Sequence, residues 1–290
     1  MTTVRRIAGI EGALLESPVW CAETQRLWFV DIKAPAVFRL NPADGHLDRW
    51  VMPSDVGSLA LTRRGDILVA LRASIARFDP QTGRLTEIAR AGHDTSTTRF
   101  NDGRCDRQGR FWVGSMFEPR SHAAGALYRL DVEGRLAMVQ GGVTIANGSA
   151  FSPDGRVMYF ADSPTAEVWA SDLDLETGAL SNRRLFAKMT DAQGRPDGAA
   201  VDSEGHYWVA AVGGGQVLRY CPNGVLDRAV AVPTRWPTMP AFGGRDLRTV
   251  FVTSLKTGRT PEELAASPDS GGLFAFEADA PGLIEPRFAG

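Results

Sequence analysis

Two carboxylates and two carboxamides recur at one offset in this chain. Glu16 precedes Trp28, Asn101 precedes Trp112, Asn147 precedes Tyr159 and Asp197 precedes Trp208, in each case by 11 or 12 residues. Such side chains are hard oxygen donors. Gathered in one place, Glu16, Asn147 and Asp197 with water would hold a divalent cation such as Ca²⁺, Mg²⁺ or Mn²⁺. Three protein ligands with open positions is the pattern of a catalytic metal rather than a closed structural one. The plainer alternative is that Asn101-Asp102-Gly103, Asn147-Gly148 and Pro196-Asp197-Gly198 only form Asx turns. Glu16, at the same offset in no such dipeptide, favours the ligand set.

The offset has meaning only if the elements around it repeat, and they do. AETQRLWFVD (22–31), TRRGDILVAL (62–71), DRQGRFWVGS (106–115), SPDGRVMYFAD (152–162), DSEGHYWVAA (202–211) and GGRDLRTVFVTS (243–254) are six versions of one phrase. Each is a short polar turn, with glycine in all but the first, followed by a strand of mostly aromatic, β-branched and other apolar residues. Their spacing is 40 to 49 residues, the length of one four-stranded propeller blade. A further strand follows each, as in AVFRLNP or QVLRYCP, and a Gly turn such as QTGRL or PNGVL leads into another. The sequence therefore predicts an all-β fold, a six-bladed β-propeller of four-stranded antiparallel blades, as a single domain over 1–290. Ring closure predicts that Val4–Ile10 pairs with the blade made by Phe251–Phe288. One short helical turn is expected at Thr260–Ala266, where an N-cap threonine, a proline and two glutamates follow in order. In a propeller, residues at one offset meet around the central channel. In the two remaining units the count lands on Val56/Gly57 and Met239/Pro240, which are not ligands.

Composition removes several function classes. The 290 residues carry 32 basic and 34 acidic side chains, without the basic excess that a phosphate backbone rewards, so no nucleic-acid partner is expected. No run approaches the roughly 20 apolar residues of a membrane span. Glu11 and Glu16 interrupt the N-terminal apolar stretch before it resembles a signal-peptide core, which points to a cytoplasmic protein without a membrane partner. Cys21, Cys105 and Cys221 are odd in number and widely spaced, so they predict neither a disulfide framework nor a zinc site. His46, His93, His122 and His206 form no HExxH motif and are assigned surface or structural roles, with His122 a side candidate for substrate contact. There is no GxSxG elbow, and Gly213-Gly214-Gly215 reads as a hairpin turn. Trp236 lies outside the aligned aromatic position and is a candidate for the channel rim.

LLESPVW (14–20), RFNDGRCDRQGRFWVGSM (99–116), IANGSAFSPDG (145–155), RPDGAAVDSEG (195–205) and AFGG (241–244) resemble, in order, the signatures of the regucalcin/gluconolactonase/sugar-lactonase family. The resemblance implies one divalent cation in the channel, Ca²⁺ foremost with Mn²⁺, Mg²⁺, Zn²⁺ or Fe²⁺ as alternatives, and hydrolysis of aldonolactones to aldonic acids. It carries the metal-ligand role onto Glu16, Asn147 and Asp197, and substrate contact onto Arg99 and Asn101. Glu118 is carried over as a third substrate contact, although it falls one position early, with Pro119 where other members place an acid. Asp197 is then the candidate base, orienting as well as deprotonating the attacking water, while Arg99 and Asn101 donate to the sugar. The expected partner is a small sugar lactone, with no obligate protein partner. The alternatives are a non-enzymatic calcium-binding regulatory propeller and a metal-dependent esterase acting on a non-sugar ester.

Overall fold

A computed structural model describes residues 2–290. Its strands form six four-stranded antiparallel sheets, each built from strands consecutive in sequence except the last. The first strands of blades 1 to 6 are Leu15–Cys21, Val56–Leu61, Thr98–Cys105, Ala146–Phe151, Arg195–Val201 and Pro237–Gly243. Each packs against the first strands of both neighbouring blades, so the six close into a ring around the channel. This is the predicted six-bladed propeller. Blade 6 adds Thr249–Ser254 and Gly272–Glu277, and its outermost strand is Arg5–Glu11 from the other end of the chain. Arg5 pairs with Ala275 and Arg6 with Phe274, so the expected closure is present.

Apolar residues are distributed in six clusters, one between each pair of adjacent blades. This explains a feature of the repeated phrase. Its strand, for example Ile67–Leu71 in blade 2 or Tyr207–Val212 in blade 5, is buried on both faces because a blade packs on each side of it. Both faces therefore select apolar residues, which a half-buried strand would not. Outer strands such as Leu226–Ala231 are largely exposed. In blades 3 and 5 the turn between first and second strands is tied by one device. In blade 3, Asp106 accepts from Trp112 Nε1 at 2.8 Å, Arg110 Nε at 2.6 Å and two backbone N–H groups. In blade 5, Asp202 takes Trp208 Nε1 at 2.9 Å and the Arg219 guanidinium.

The short helix is present at Pro261–Ala266, with Thr260 and Glu263 forming a reciprocal capping box. Beyond residue 280 the chain adds no strand to blade 6. It crosses one end of the ring, where Gly282 N donates to Leu247 O, Ser203 N to Pro281 O, Phe288 N to Leu61 O and Ala289 N to Gly109 O. These contacts lie at or beyond the C-terminal ends of the inner strands, so this end of the channel is covered. All three cysteines are free thiols. No helix among the described residues is long and apolar enough to cross a membrane.

Candidate functional site

The uncovered end of the channel is where the inner strands begin. In each blade the pairing of first and second strand is interrupted near that end. The interruptions fall between Glu16 and Val19, Val56 and Ser58, Phe100 and Gly103, Asn147 and Ala150, Pro196 and Ala199, and Pro237 and Met239. A bulge frees a residue from the regular pleat and re-aims its side chain. In four blades that position carries Glu16, Asn101, Asn147 or Asp197, and in two it carries none of them. Two residues show how tight the arrangement is. Ser17, beside Glu16, takes a φ of +49°, a conformation a non-glycine residue rarely holds outside constrained sites. Gly148 has φ +65°, and a Cβ there would lie 2.5 Å from the Tyr207 hydroxyl, which donates to Gly148 O at 2.9 Å.

Glu16, Arg99, Asn101, Asn147 and Asp197 line one cavity of about 550 Å³. All five are at least nine-tenths buried. Asn101 Nδ2 donates to Asn147 Oδ1 and to Ala146 O, both at 2.8 Å, and its Oδ1 accepts from Arg99 Nη1 at 2.7 Å. Asn147 Nδ2 donates to Ser163 Oγ at 2.8 Å, and Ser163 Oγ donates to Pro196 O at 2.7 Å, next to Asp197. Polar contacts thus run from Arg99 to the strand that carries Asp197. Ser163, missed in the sequence because it stands in a short 3-10 turn outside the repeated phrase, is the link.

Charge is concentrated at the floor. Burial, then the Asp197 and Asp102 charges, push the Glu16 carboxyl well above its ordinary range, against one backbone N–H and Arg99. Burial and the Asp102 charge push Asp197 up to about 8, opposed by Arg99 and Arg120. Asp102 is raised too, chiefly by burial. Its Oδ2 accepts from Ser149 N at 2.8 Å, while Oδ1 has no hydrogen-bond partner among the described residues. Three buried carboxylates crowd their charges at the floor, a cost that an opposite charge would offset.

Two residues take places that their sequence positions do not announce. Both amide hydrogens of Asn101 are committed within the protein, so it bridges Arg99 to Asn147 and keeps only an acceptor lone pair. Of the donor pair read from the sequence, that leaves Arg99, whose guanidinium lines the cavity. Glu118 is not part of the cavity lining. It is held by Lys33 Nζ at 2.8 Å and Arg72 Nη2 at 2.5 Å, and lies 3.6 Å from Arg99 Nε, behind that guanidinium. His122 is exposed and packs on Phe117. Trp236 does line the cavity.

One further group brings metal-ligating atoms together, Asp202, Glu204 and His206, within 4.8 Å of one another. A guanidinium already stands among them. Arg219 Nη2 lies 2.8 Å from Asp202 and from Glu204, and 2.9 Å from His206 Nδ1. The group is the Trp208 clasp of blade 5, its charge balanced by arginine.

Comparison with known proteins agrees with this geometry. Residues 14–256 match the SMP-30/Gluconolactonase/LRE-like region. The chain is 42% identical to a 6-deoxy-6-sulfogluconolactonase of Pseudomonas putida, over 99% of each chain. It is 38% identical to an L-arabinolactonase of Azospirillum brasilense, over 98% of this chain and 95% of the other. The crystal structure of a calcium-binding protein, regucalcin, from Agrobacterium tumefaciens superposes with a TM-score of 0.94 at 29% identity, covering 99% and 97% of the two chains. Blade count, channel chemistry and full-length similarity therefore agree, and the chain belongs to the SMP-30/gluconolactonase/LRE-like family.

Proposed function

We infer that the protein is a sugar lactone hydrolase, opening aldonolactones to aldonic acids at the floor of the channel. The observation that carries the site is the meeting of Glu16, Asn147 and Asp197 beside Arg99 in one cavity large enough for a sugar. The relatives named as lactonases support the reaction class.

The donor set fits a hard divalent cation. Its atoms are oxygens, its carboxylates repel one another, and the orphaned Asp102 Oδ1 lies within the same charge cluster. Glu16, Asn147 and Asp197 would hold the ion, Ca²⁺ foremost and Mn²⁺, Mg²⁺, Zn²⁺ or Fe²⁺ by the same ligands. When bound, it would polarise the lactone carbonyl and acidify water.

The protein's own groups divide the remaining work. Arg99, whose guanidinium lines the cavity, donates to the lactone and fixes its orientation. The Asn101 bridge and the Glu118 carboxylate behind Arg99 keep that guanidinium in place. Asp197 orients the attacking water and accepts its proton. Asp102 and burial raise the basicity of this carboxylate, and a bound cation and Arg99 lower it, so orientation is as much its task as proton transfer. Water oxygen bonds to the carbonyl carbon, the ring C–O bond breaks, and the proton taken by Asp197 passes to the departing ring oxygen. One molecule of water is consumed and one hydroxy acid is formed.

The test is hydrolysis of glucono-, galactono-, xylono- and arabinono-lactones, corrected for spontaneous opening, in chelator and after each cation is restored. Turnover is expected to vanish in chelator and return with one ion. Failure on every lactone with every cation, from folded protein, would overturn the reading.

A further inference from the structure

The floor of the cavity is acidic and its mouth is basic. Arg120, Arg195, Arg235 and Arg259 line the same cavity as Glu16 and Asp197. Three of them belong to blades 5 and 6 and are joined by contacts. Arg195 opens the inner strand of blade 5 and donates to Gly194 O at 3.3 Å, and Arg235 Nε donates to Gly213 O at 3.1 Å. Gly194 and the Gly213-Gly214 turn are pressed together, for a Cβ on Gly194 would lie 2.7 Å from Gly214 N. Arg235 and Arg259 both stand over the Trp236 ring, with Cζ 5.3 Å and 4.2 Å from its centroid.

Over two other tryptophans the arginine is neutralised, whereas Arg129 over Trp112 and Arg183 over Trp169 have no carboxylate partner among the described residues. Arg39 over Trp28 pairs with Asp48 at 2.8 Å, and Arg219 over Trp208 pairs with Asp202 at 2.8 Å. At Trp236 two guanidiniums share one ring and neither has a close carboxylate. Arg259 has Glu263 only at 3.8 Å, and Arg195 has Asp191, whose side chain is 94% exposed. Arg235 and Arg120 form no ion pair among the described residues. Trp236 itself is 8% exposed, and its indole N–H has no acceptor among the described residues. Guanidinium groups gathered on one indole repel each other unless an anion lies among them, and their planar forks match an oxyanion. Position suits a substrate tail. Arg195 stands two residues before Asp197 on one strand, about 7 Å along it, comparable with the span of a six-carbon sugar.

We propose that Arg195, Arg235 and Arg259 form a subsite for an anionic oxygen group carried by the lactone at the end remote from its carbonyl, a sulfonate, phosphate or carboxylate. The proposal rests on the lactonase reading and adds its substrate class. The anion draws the tail to the mouth, leaving the ring over Asp197. Arg120, on blade 3, adds to the field without sharing the Trp236 contact.

The experiment measures kcat/KM for glucono-1,5-lactone and for its 6-phosphate, 6-sulfonate and 6-carboxylate counterparts, with a divalent cation present. At least one anionic lactone is expected to be preferred by about tenfold or more, mainly through KM and less so at high salt. The ranking of the three names the anion. In Arg235→Gln and Arg259→Gln the ratio of anionic to neutral kcat/KM should collapse toward one. A neutral lactone used as well as all three anionic ones would overturn the proposal, as would variants that keep the wild-type ratio. If no lactone is turned over, the lactonase reading fails, and the subsite is read from gluconate and 6-phosphogluconate binding by calorimetry. Equal affinities for those two acids overturn it.

Discussion

Replacing Asp197 by asparagine should destroy turnover and stabilise the metal-free fold, because one carboxylate serves the reaction at the expense of folding. Burial and the Asp102 charge raise Asp197 from an ordinary 3.8 to about 8. For an acid shifted upward, the unfolded chain gives up its proton first. Stability therefore falls as pH rises through the ordinary value, and the fall ends near the folded one. From 3.8 to pH 7 is about three pH units at about 1.4 kcal/mol each, so the fully buried group costs about 4 kcal/mol at neutral pH. Asparagine keeps the shape and has no proton to lose, and it removes a charge that also raises Glu16. In chelator at pH 7 the Asp197→Asn protein should be more stable by about 4 kcal/mol, or about 10 °C in melting temperature. The gap should close toward pH 4. A saturating cation should stabilise the wild type and do less for the variant, which has lost a ligand. Thermal and urea unfolding of both proteins in chelator, from pH 4.5 to 8.5, reads all of this. A variant no more stable than the wild type at pH 7, or a gap that ignores pH, would refute the electrostatic account of the floor.

Other consequences are measurable in the same way. Glu118→Gln removes the charge behind Arg99 and loosens its ties to Lys33 and Arg72, so KM should rise by about tenfold with a smaller change in kcat; an unchanged KM would remove Glu118 from the positioning of Arg99. Asp106→Ala leaves Arg110 without its carboxylate and the Trp112 indole without an acceptor, and should cost about 3–5 kcal/mol in urea unfolding. A loss under about 1 kcal/mol would show that the clasp is not a structural element of the blade.

The repeated phrase is legible because each blade has its own turn and its own buried strand, both written within about 20 residues. The site residues inherit that regularity, since Glu16, Asn101, Asn147 and Asp197 hold one position in four blades. Their hydrogen bonds do not. Whether Asn101 donates outward or inward depends on Ala146 and Asn147, which lie in the next blade. Glu118 shows the same limit. Its neighbours Lys33 and Arg72 lie 85 and 46 residues away on blades 1 and 2, so its sequence position cannot tell a substrate contact from a support. The bulges are equally hidden, because a bulge is a property of two paired strands. Arg120, Arg235 and Arg259 sit in connections that differ from blade to blade, and no periodic signal marks them. Trp236, standing off the repeat, is the one sequence pointer to the mouth.

The pairing of Arg5–Glu11 with Gly272–Glu277 bears on how the protein is made. The strand Arg5–Glu11 leaves the ribosome before its partner, which emerges more than 260 residues later. At cellular rates of about 5–20 residues per second, roughly ten seconds to a minute separates them. Blades 1 to 5 can stack as they appear, each covering the face of the one before. The outer face of blade 1, with Trp20, Phe29 and Phe38, has no cover until blade 6 arrives. Throughout elongation the nascent chain displays an apolar face and a waiting strand edge, the surfaces that chaperones bind and that misassembled neighbours invade. A circular permutant opened between two inner blades would carry its native closure as an ordinary hairpin-linked contact and move that exposure to another interface, turning the order of synthesis into a variable that yield in cells can report.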